Sequence, residues 1–255
     1  ILSGLGYARR ATAQGIPYNT IMLNGRGTNQ LVEGITITDP QHFCILSRGQ
    51  LAVRNVKLFG WWHQTDGWGG GDNSLIEDSF MKVNDDNVKL YGKNQTARRL
   101  VIYQQVNGAV FQLGWGSANA RNCLAQDIDI IRCENNTKPP SHEGNQPVLN
   151  LVKQGANNVV DGLRLERVRI EDDIIFLMGL RQASGTVRNL LLRDIDIHGR
   201  VLGTNHLRAV NQGQITGVTL ENVRVGGARV SGPSDPALKW SLSGNSAPVQ
   251  FVPAK

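Results

Sequence analysis

The chain has 255 residues, enough for one large domain with a sizeable core. Hydrophobic residues make up 40% and charged residues 19%, which excludes a disordered chain and a charge-rich coiled coil, and 29 glycines argue against a helical domain. The net charge of +6 permits an acidic partner, but the arginines are scattered, as expected of a solvated basic exterior with no nucleic acid bound, and no apolar run is long enough to span a bilayer.

The opening stretch, Ile1 to Tyr7, has no basic segment followed by an apolar one, so a signal peptide is read as absent or already removed. From residue 32 a short apolar phrase recurs. It begins at Val32, Val53, Ile76, Ala97, Ala125, Val160, Val187 and Ile215, as in Val53-Arg-Asn-Val-Lys-Leu-Phe59. The first four starts lie 21, 23 and 21 residues apart, and the later gaps are longer, which predicts loop insertions. Apolar and polar residues alternate within each phrase, the pattern of a strand with one buried face.

A second strand family lies between the phrases: Cys44–Ser47, Val88–Tyr91, Val110–Leu113, Val148–Leu151, Ile175–Met178 and His206–Ala209. No amphipathic helix of useful length interrupts them, so helix–strand alternation is excluded, and hairpin signals for a propeller are few. Short strands at this period, with Gly- and Asn-rich corners, predict an all-β solenoid, a right-handed parallel β-helix of about eight coils over residues 1–230. From Ser231 the pattern dissolves, and residues 231–255 are expected to form an irregular tail packing on the helix.

One stretch breaks the repeat. Trp61-Trp62-His63-Gln64-Thr65-Asp66-Gly67-Trp68 is followed one coil later by Asn84-Asp85-Asp86. Asp66 precedes the doublet by 19 and 20 residues, close to one coil, so stacking is expected to set Asp66 beside Asp85 and Asp86 about 5 Å away across the ladder. Three carboxylates so placed repel one another, which raises the pKa of at least one and equips it as a general acid while its neighbours act as bases. Outward positions add a polar column of Lys89, Gln112, Asn150 and Arg208 along one face, suited to a chain-like substrate. Trp62, Trp68 and Trp115 offer indole faces to sugar rings, and His63 adjoins the cluster. The acidic doublet Asp172-Asp173 has no partner Asp one coil earlier and is read as a polar corner. The insertion Asn135 to Asn145 is a long loop near the groove. Cys44, Cys123 and Cys133 show no metal-binding spacing; Cys123 and Cys133 either pair or stay as buried thiols. No metal site, phosphate loop or Ser/His/Asp triad is evident, and no cofactor is expected.

Taken together, Thr65-Asp66-Gly67, Asn84-Asp85-Asp86, Lys89, Tyr91 and Gln112-Leu113-Gly114-Trp115 resemble the core of glycoside hydrolase family 49, the dextranases and isopullulanases. The similarity runs from about Val53 to Ile131 and fades beyond residue 135. It implies a parallel β-helix and inverting hydrolysis of a neutral α-glucan, dextran-like α-1,6 linkages first, without cofactor. It also implies that Asp85 is the general acid, that Asp66 and Asp86 activate the water, and that Lys89, Tyr91, Gln112 and Trp115 line sugar subsites. A polymer substrate implies a secreted enzyme, expected as a monomer. Polygalacturonase-like hydrolysis of an acidic polysaccharide is the alternative, though the Gly-His-Gly that family places one coil on is here Val106-Asn107-Gly108-Ala109, without His. A non-catalytic polysaccharide-binding β-helix is the third reading.

Overall fold

The computed structural model describes residues 2–3, 21–23, 27–40, 42–116, 119–134 and 147–252. It is a parallel β-helix, right-handed as parallel crossovers are, and no α-helix occurs among the described residues. Two sheets carry the coils. The long sheet contains the recurring phrases. The second, here the cleft sheet, contains the second strand family, Ile45–Ser47, Val88–Lys89, Phe111–Gln112, Pro147–Leu151, Phe176–Ala183 and Asn205–Ala209 among its rungs.

Alternation decides which side chains enter the barrel, and in-register pairing then stacks them. Ile37, Leu58, Met81, Ile102, Ile130, Ile170, Ile197 and Val225 pair one after another and form one buried aliphatic column. A second runs through Val53, Ile76, Ala97, Ala125, Leu165, Leu192 and Leu220. Burying each larger aliphatic contributes about 1.5–3 kcal/mol, so the columns are the main source of cohesion between coils.

The corners explain the phrase. Its third residue is always in the left-handed backbone region: Gly34, Asn55, Asp78, Arg99 and Asp127 in the first five phrases, and Gly162, Asn189 and Gly217 in the last three. The phrase therefore marks a corner and not a coil. The first five stack at one corner, continued by Arg167, Asp194 and Asn222. The last three stack at another, above Asn73, Asn94 and Asn122. Val160 accordingly pairs with Val187, whereas the partner of Ala125 is Leu165. Asn, Asp and Gly suit a left-handed corner. Arg99 and Arg167 do not by type, and each is tied by its guanidinium to the acidic residue one coil below, Asp78 and Asp127 respectively, at 2.6 Å.

These pairs belong to a larger pattern on the outer face of the long sheet. Arg54, Arg98 and Arg99 converge on Glu77, and Arg169–Asp129, Arg188–Asp161 and Arg193–Glu221 follow along the solenoid. Many of the arginines are thus paired coil by coil, each half-exposed pair contributing little alone. Asp173 pairs with Arg200, and Asp172 accepts from the Cys133 N–H, so this doublet is a polar corner as expected. All three cysteines are buried and free; Cys123 and Cys133 lie at opposite ends of the strand Leu124–Cys133 and do not pair. The 135–145 insertion lies outside the described residues.

Three expectations are corrected. The described part of the segment after Ser231 is not irregular throughout: Trp240–Ser243 continues the cleft sheet beside Asn205–Ala209, and Gln250–Val252 continues the long sheet beside Gln214–Val225. Trp68 does not face a substrate. Trp68–Gly69 is itself the rung between Ile45–Ser47 and Val88–Lys89, and the indole fills the inward slot between Ile45 and Val88 at 0% exposure. The polar column after Lys89, Gln112 and Asn150 runs through Gly179 and His206, with Arg208 two residues further along its strand.

Candidate active site

The acidic cluster sits where three successive coils enter the cleft sheet. Register is set by the ladder: the Gly67 N–H donates to the Asp86 carbonyl at 2.9 Å, and Val88 pairs with Trp68, which places Asp66 one rung from Asp86. One carboxylate oxygen from each of Asp66, Asp85 and Asp86 lies within 4.8 Å of the others. Asp66 and Asp86 are almost fully buried, at 3% and 2% exposure, while Asp85 is more open.

Local packing holds the three loops together. Gly67 must be glycine, because a Cβ there would stand 2.4 Å from the Asn87 carbonyl oxygen. Gly108 has φ +85°, and a Cβ on it would lie 2.1 Å from the Asp85 carbonyl carbon, so the next coil rests directly on the Asp85 backbone. Thr65 Oγ1 donates to the Trp62 carbonyl and accepts from the Asn84 N–H. Asn84 Oδ1 accepts from the Asn107 N–H, and the Asn107 amide donates to the His63 carbonyl at 2.6 Å. The buried Gln104 amide donates to the carbonyls of Asp85 and Asn107 and accepts from Asn87.

The electrostatics divide the carboxyls. Lys89 Nζ lies 2.6 Å from Asp66 Oδ1 and 2.9 Å from Asp86 Oδ2, bridging the two. Asp86 Oδ1 also accepts from the Ala109 N–H at 3.0 Å, and the Gln112 amide donates to both its oxygens at 3.3 Å. Asp86 thus meets an ammonium, a backbone N–H and a side-chain amide in its buried place. Burial pushes the Asp66 carboxyl up to about 7, opposed by Lys89 and reinforced by Asp86. Asp85 forms no ion pair among the described residues; burial, then the charges of Asp66 and Asp86, push it up to about 8, against a smaller lowering by Lys89. Lys89, held by two anions, is raised well above the ordinary lysine value despite its burial. Three converging carboxylates are also the donor set of a cation site. Here the ammonium of Lys89 stands against two of them and supplies that positive charge.

An open cleft of about 390 Å³ lies over the cluster, lined by the three aspartates, Lys89 and Trp115 together with His42, Phe43, His63, Gln64 and Asn107. Of the substrate contacts expected from sequence, Lys89 and Trp115 line this cleft, and Trp115 is 54% exposed. Trp62 is half-buried against the His63 ring, 4.3 Å between centroids, outside the lining. Tyr91 is half-buried with its hydroxyl enclosed, and burial raises that hydroxyl above the ordinary tyrosine value. Gln112, at 0% exposure, donates to Asp86 and stands outside the described lining of the cleft. Asn107, Phe43 and Gln64 were not read as site residues. Coil arithmetic finds two of them: Phe43 precedes Cys44, whose N–H donates to the Asp66 carbonyl, and Asn107 sits one coil beyond the aspartate doublet.

The fold and site define a parallel β-helix with an aspartate triad set in an open cleft. No family model matches the chain. Over 106 residues it is 30% identical to a dextranase of Arthrobacter sp. (strain CB-8), a stretch covering 39% of this chain and 17% of that protein. Over 68 residues it is 34% identical to an isopullulanase of Aspergillus niger, covering 27% of this chain and 12% of that protein. Its fold matches Dex49A from Penicillium minioluteum with a TM-score of 0.75 at 18% identity, over 91% of this chain and 44% of that one. The chain thus spans less than half of this solved relative. In sequence and in fold it is dextranase-like, as its resemblance to glycoside hydrolase family 49 implies.

Proposed function

We propose that this chain is the catalytic β-helix of an inverting, endo-acting glycoside hydrolase of neutral α-glucans, with α-1,6-linked dextran the first substrate. The observation that carries the reading is the division of labour within the triad: an accessible carboxyl kept protonated near neutrality beside two buried carboxylates that share one ammonium. Asp85 gives its proton to the glycosidic oxygen as the C–O bond breaks. Asp66 and Asp86 orient a water toward the anomeric carbon and take its proton as the new bond forms. The leaving sugar departs as a neutral alcohol, and solvent exchange resets the acid and the base. Trp115 offers a ring face to a sugar, and Asn107, Gln64 and His63 surround the scissile bond with polar groups.

Inversion rests on burial more than on separation. Carboxyl oxygens this close would by the usual distance rule suit a retaining pair. A nucleophilic carboxylate must touch the anomeric carbon, however, and the low exposure of Asp66 and Asp86 at the cleft wall favours action through a water. A neutral polymer is favoured over a polyuronate because Lys89, the one lysine or arginine lining this part of the cleft among the described residues, is already engaged by two carboxylates. The relatives' names, dextranase and isopullulanase, agree with an α-glucan. Such polymers are met outside cells, so the protein is proposed to act there.

The test is reducing-end release from dextran, pullulan, α-1,3-glucan and polygalacturonate, with NMR of the first product anomer. Release from dextran with the opposite anomer is expected. A retained anomer overturns the mechanism, and release from polygalacturonate alone overturns the substrate class.

A further inference from the structure

Trp61 and Trp115 are the most exposed tryptophans, at 50% and 54%, and they stand in different places. Trp115 lines the cleft; Trp61 is outside its lining. A single apolar side chain in water is ordinary, but Trp61 is not single. Phe59 and Lys82 pair on adjacent rungs of the long sheet, and Tyr103 pairs with Lys82 one rung on. All three point outward, since Leu58, Met81 and Ile102 beside them fill the buried column. Trp61 stacks on Phe59, ring centroids 6.3 Å and planes 29° apart, and Phe80 braces Phe59 at 5.5 Å. Lys82 Nζ lies 5.1 Å from the Trp61 ring centroid and 4.0 Å from that of Tyr103, whose hydroxyl donates to Glu134 at 2.6 Å. Phe59 and Lys82 both meet the indole from the sheet, so its exposed half is turned to solvent. The backbone beneath is fastened too. The Gly60 carbonyl accepts from the buried Gln105 amide at 2.7 Å, and the Trp61 carbonyl accepts from the Asn84 amide at 2.9 Å.

This platform is continuous with the cleft. Residues 60–66 cross from the long sheet to the cleft sheet, and His63 and Gln64 of that crossing line the cleft. His63 is two residues from Trp61, at most about 7 Å of backbone. We propose that Trp61, with Phe59 and Lys82, forms a second glucan-binding site on the outer face of the long sheet, outside the cleft. A glucose ring has an apolar C–H face and a rim of hydroxyls. The indole takes the face, and the Lys82 ammonium donates to the rim. A purely apolar partner would strip that ammonium of water and return no hydrogen bond, whereas sugar hydroxyls replace the water they displace. Rings already stacked and tied lose little freedom on binding. The proposal takes its ligand from the hydrolase reading; the platform itself stands on its own residues.

Binding is measured on the Asp85→Asn chain, so that turnover does not interfere, by NMR of the indole N–H signals and by calorimetry. The ligands are isomaltotriose and a long dextran. The Trp61 signal is assigned by its loss in Trp61→Phe, and the Trp115 signal reports the cleft. Isomaltotriose is expected to move both signals with separate midpoints, and still to move Trp61 in the Trp115→Ala chain. Long dextran can occupy both sites at once, so Trp61→Ala is expected to lower its affinity by at least about 10-fold, and Trp61→Phe by less. Movement of Trp115 alone overturns the proposal, as does movement of neither signal, or a dextran affinity indifferent to Trp61→Ala. Self-association that Trp61→Ala abolishes, with no glucan response at Trp61, also overturns it and gives the platform to a second copy of the chain. If Trp61→Ala does not fold, the Trp61 signal of the chain that keeps it and the affinity of Trp61→Phe decide. Because no rate is read, failure of hydrolysis leaves this site standing, and a silent Trp61 beside a responding Trp115 leaves the hydrolase reading standing.

Discussion

In the proposed mechanism Asp85 and Lys89 carry opposite halves of the chemistry, and each has its own pH signature. With Asp85 pushed up to about 8 by burial, the acid is lost as pH rises through that value; with Asp66 pushed up to about 7, the base is lost as pH falls through that one. A narrow bell in kcat/KM around neutrality to mildly alkaline pH is expected, and its limbs belong to the coupled cluster as a whole. Lys89→Met removes the charge that opposes Asp66 protonation. The acidic limb should move to higher pH, and the maximal rate should fall by at least about 10²-fold, which a pH–rate series reads. Asp85→Asn should lower kcat by about 10²–10⁴-fold while dextran still binds. Stability moves the other way. A carboxyl whose folded pKa is raised favours the fold below its unfolded value near 3.9 and loses that contribution as pH rises through the folded value. Asp85→Asn should therefore melt with the parent protein at pH 4 and several degrees above it at pH 9, as read by thermal unfolding.

Individual coils show which elements were legible and which were not. Period arithmetic alone brought Asp66 beside Asp86, because a parallel ladder admits no other neighbour at that spacing. The eight phrases were visible too, but a phrase repeated at two corners looks the same as one repeated once per coil. Only the pairing of Ala125 with Leu165 separates them. Trp68 was misread for a related reason: a rung of two residues, Trp68–Gly69, is too short to show alternation, and its indole beside a cluster of aspartates imitates a sugar platform. The far end escaped notice because Pro and Gly around Trp240–Ser243 broke the pattern without breaking the ladder. Two substitutions test the corners. Gly108→Ala forces a side chain against the Asp85 backbone; a loss of at least 2 kcal/mol, on the order of other strained-backbone changes, is expected with a disproportionate fall in kcat. Asn94→Ala at a left-handed corner gives up both its backbone tolerance and the amide bond to Asn73 Oδ1, and should cost about 1–2 kcal/mol in denaturant titration with kcat unchanged.

At the scale of the whole molecule, stability is a sum over stacked coils in contact only with their neighbours. Ile130 stands mid-column between Ile102 and Ile170, so Ile130→Ala opens a cavity with little room to collapse and should cost about 2–5 kcal/mol. The three acids and Lys89, by contrast, occupy only two adjoining rungs, with Ala109 and Gln112 bracing them from the next. The proposed bond-breaking equipment is thus confined to a short segment of a body that is otherwise modular. On that proposal, inserting or deleting turns elsewhere would change how much polymer the trough holds while the cutting edge stays the same. Preference for long or short chains would become a matter of counting turns.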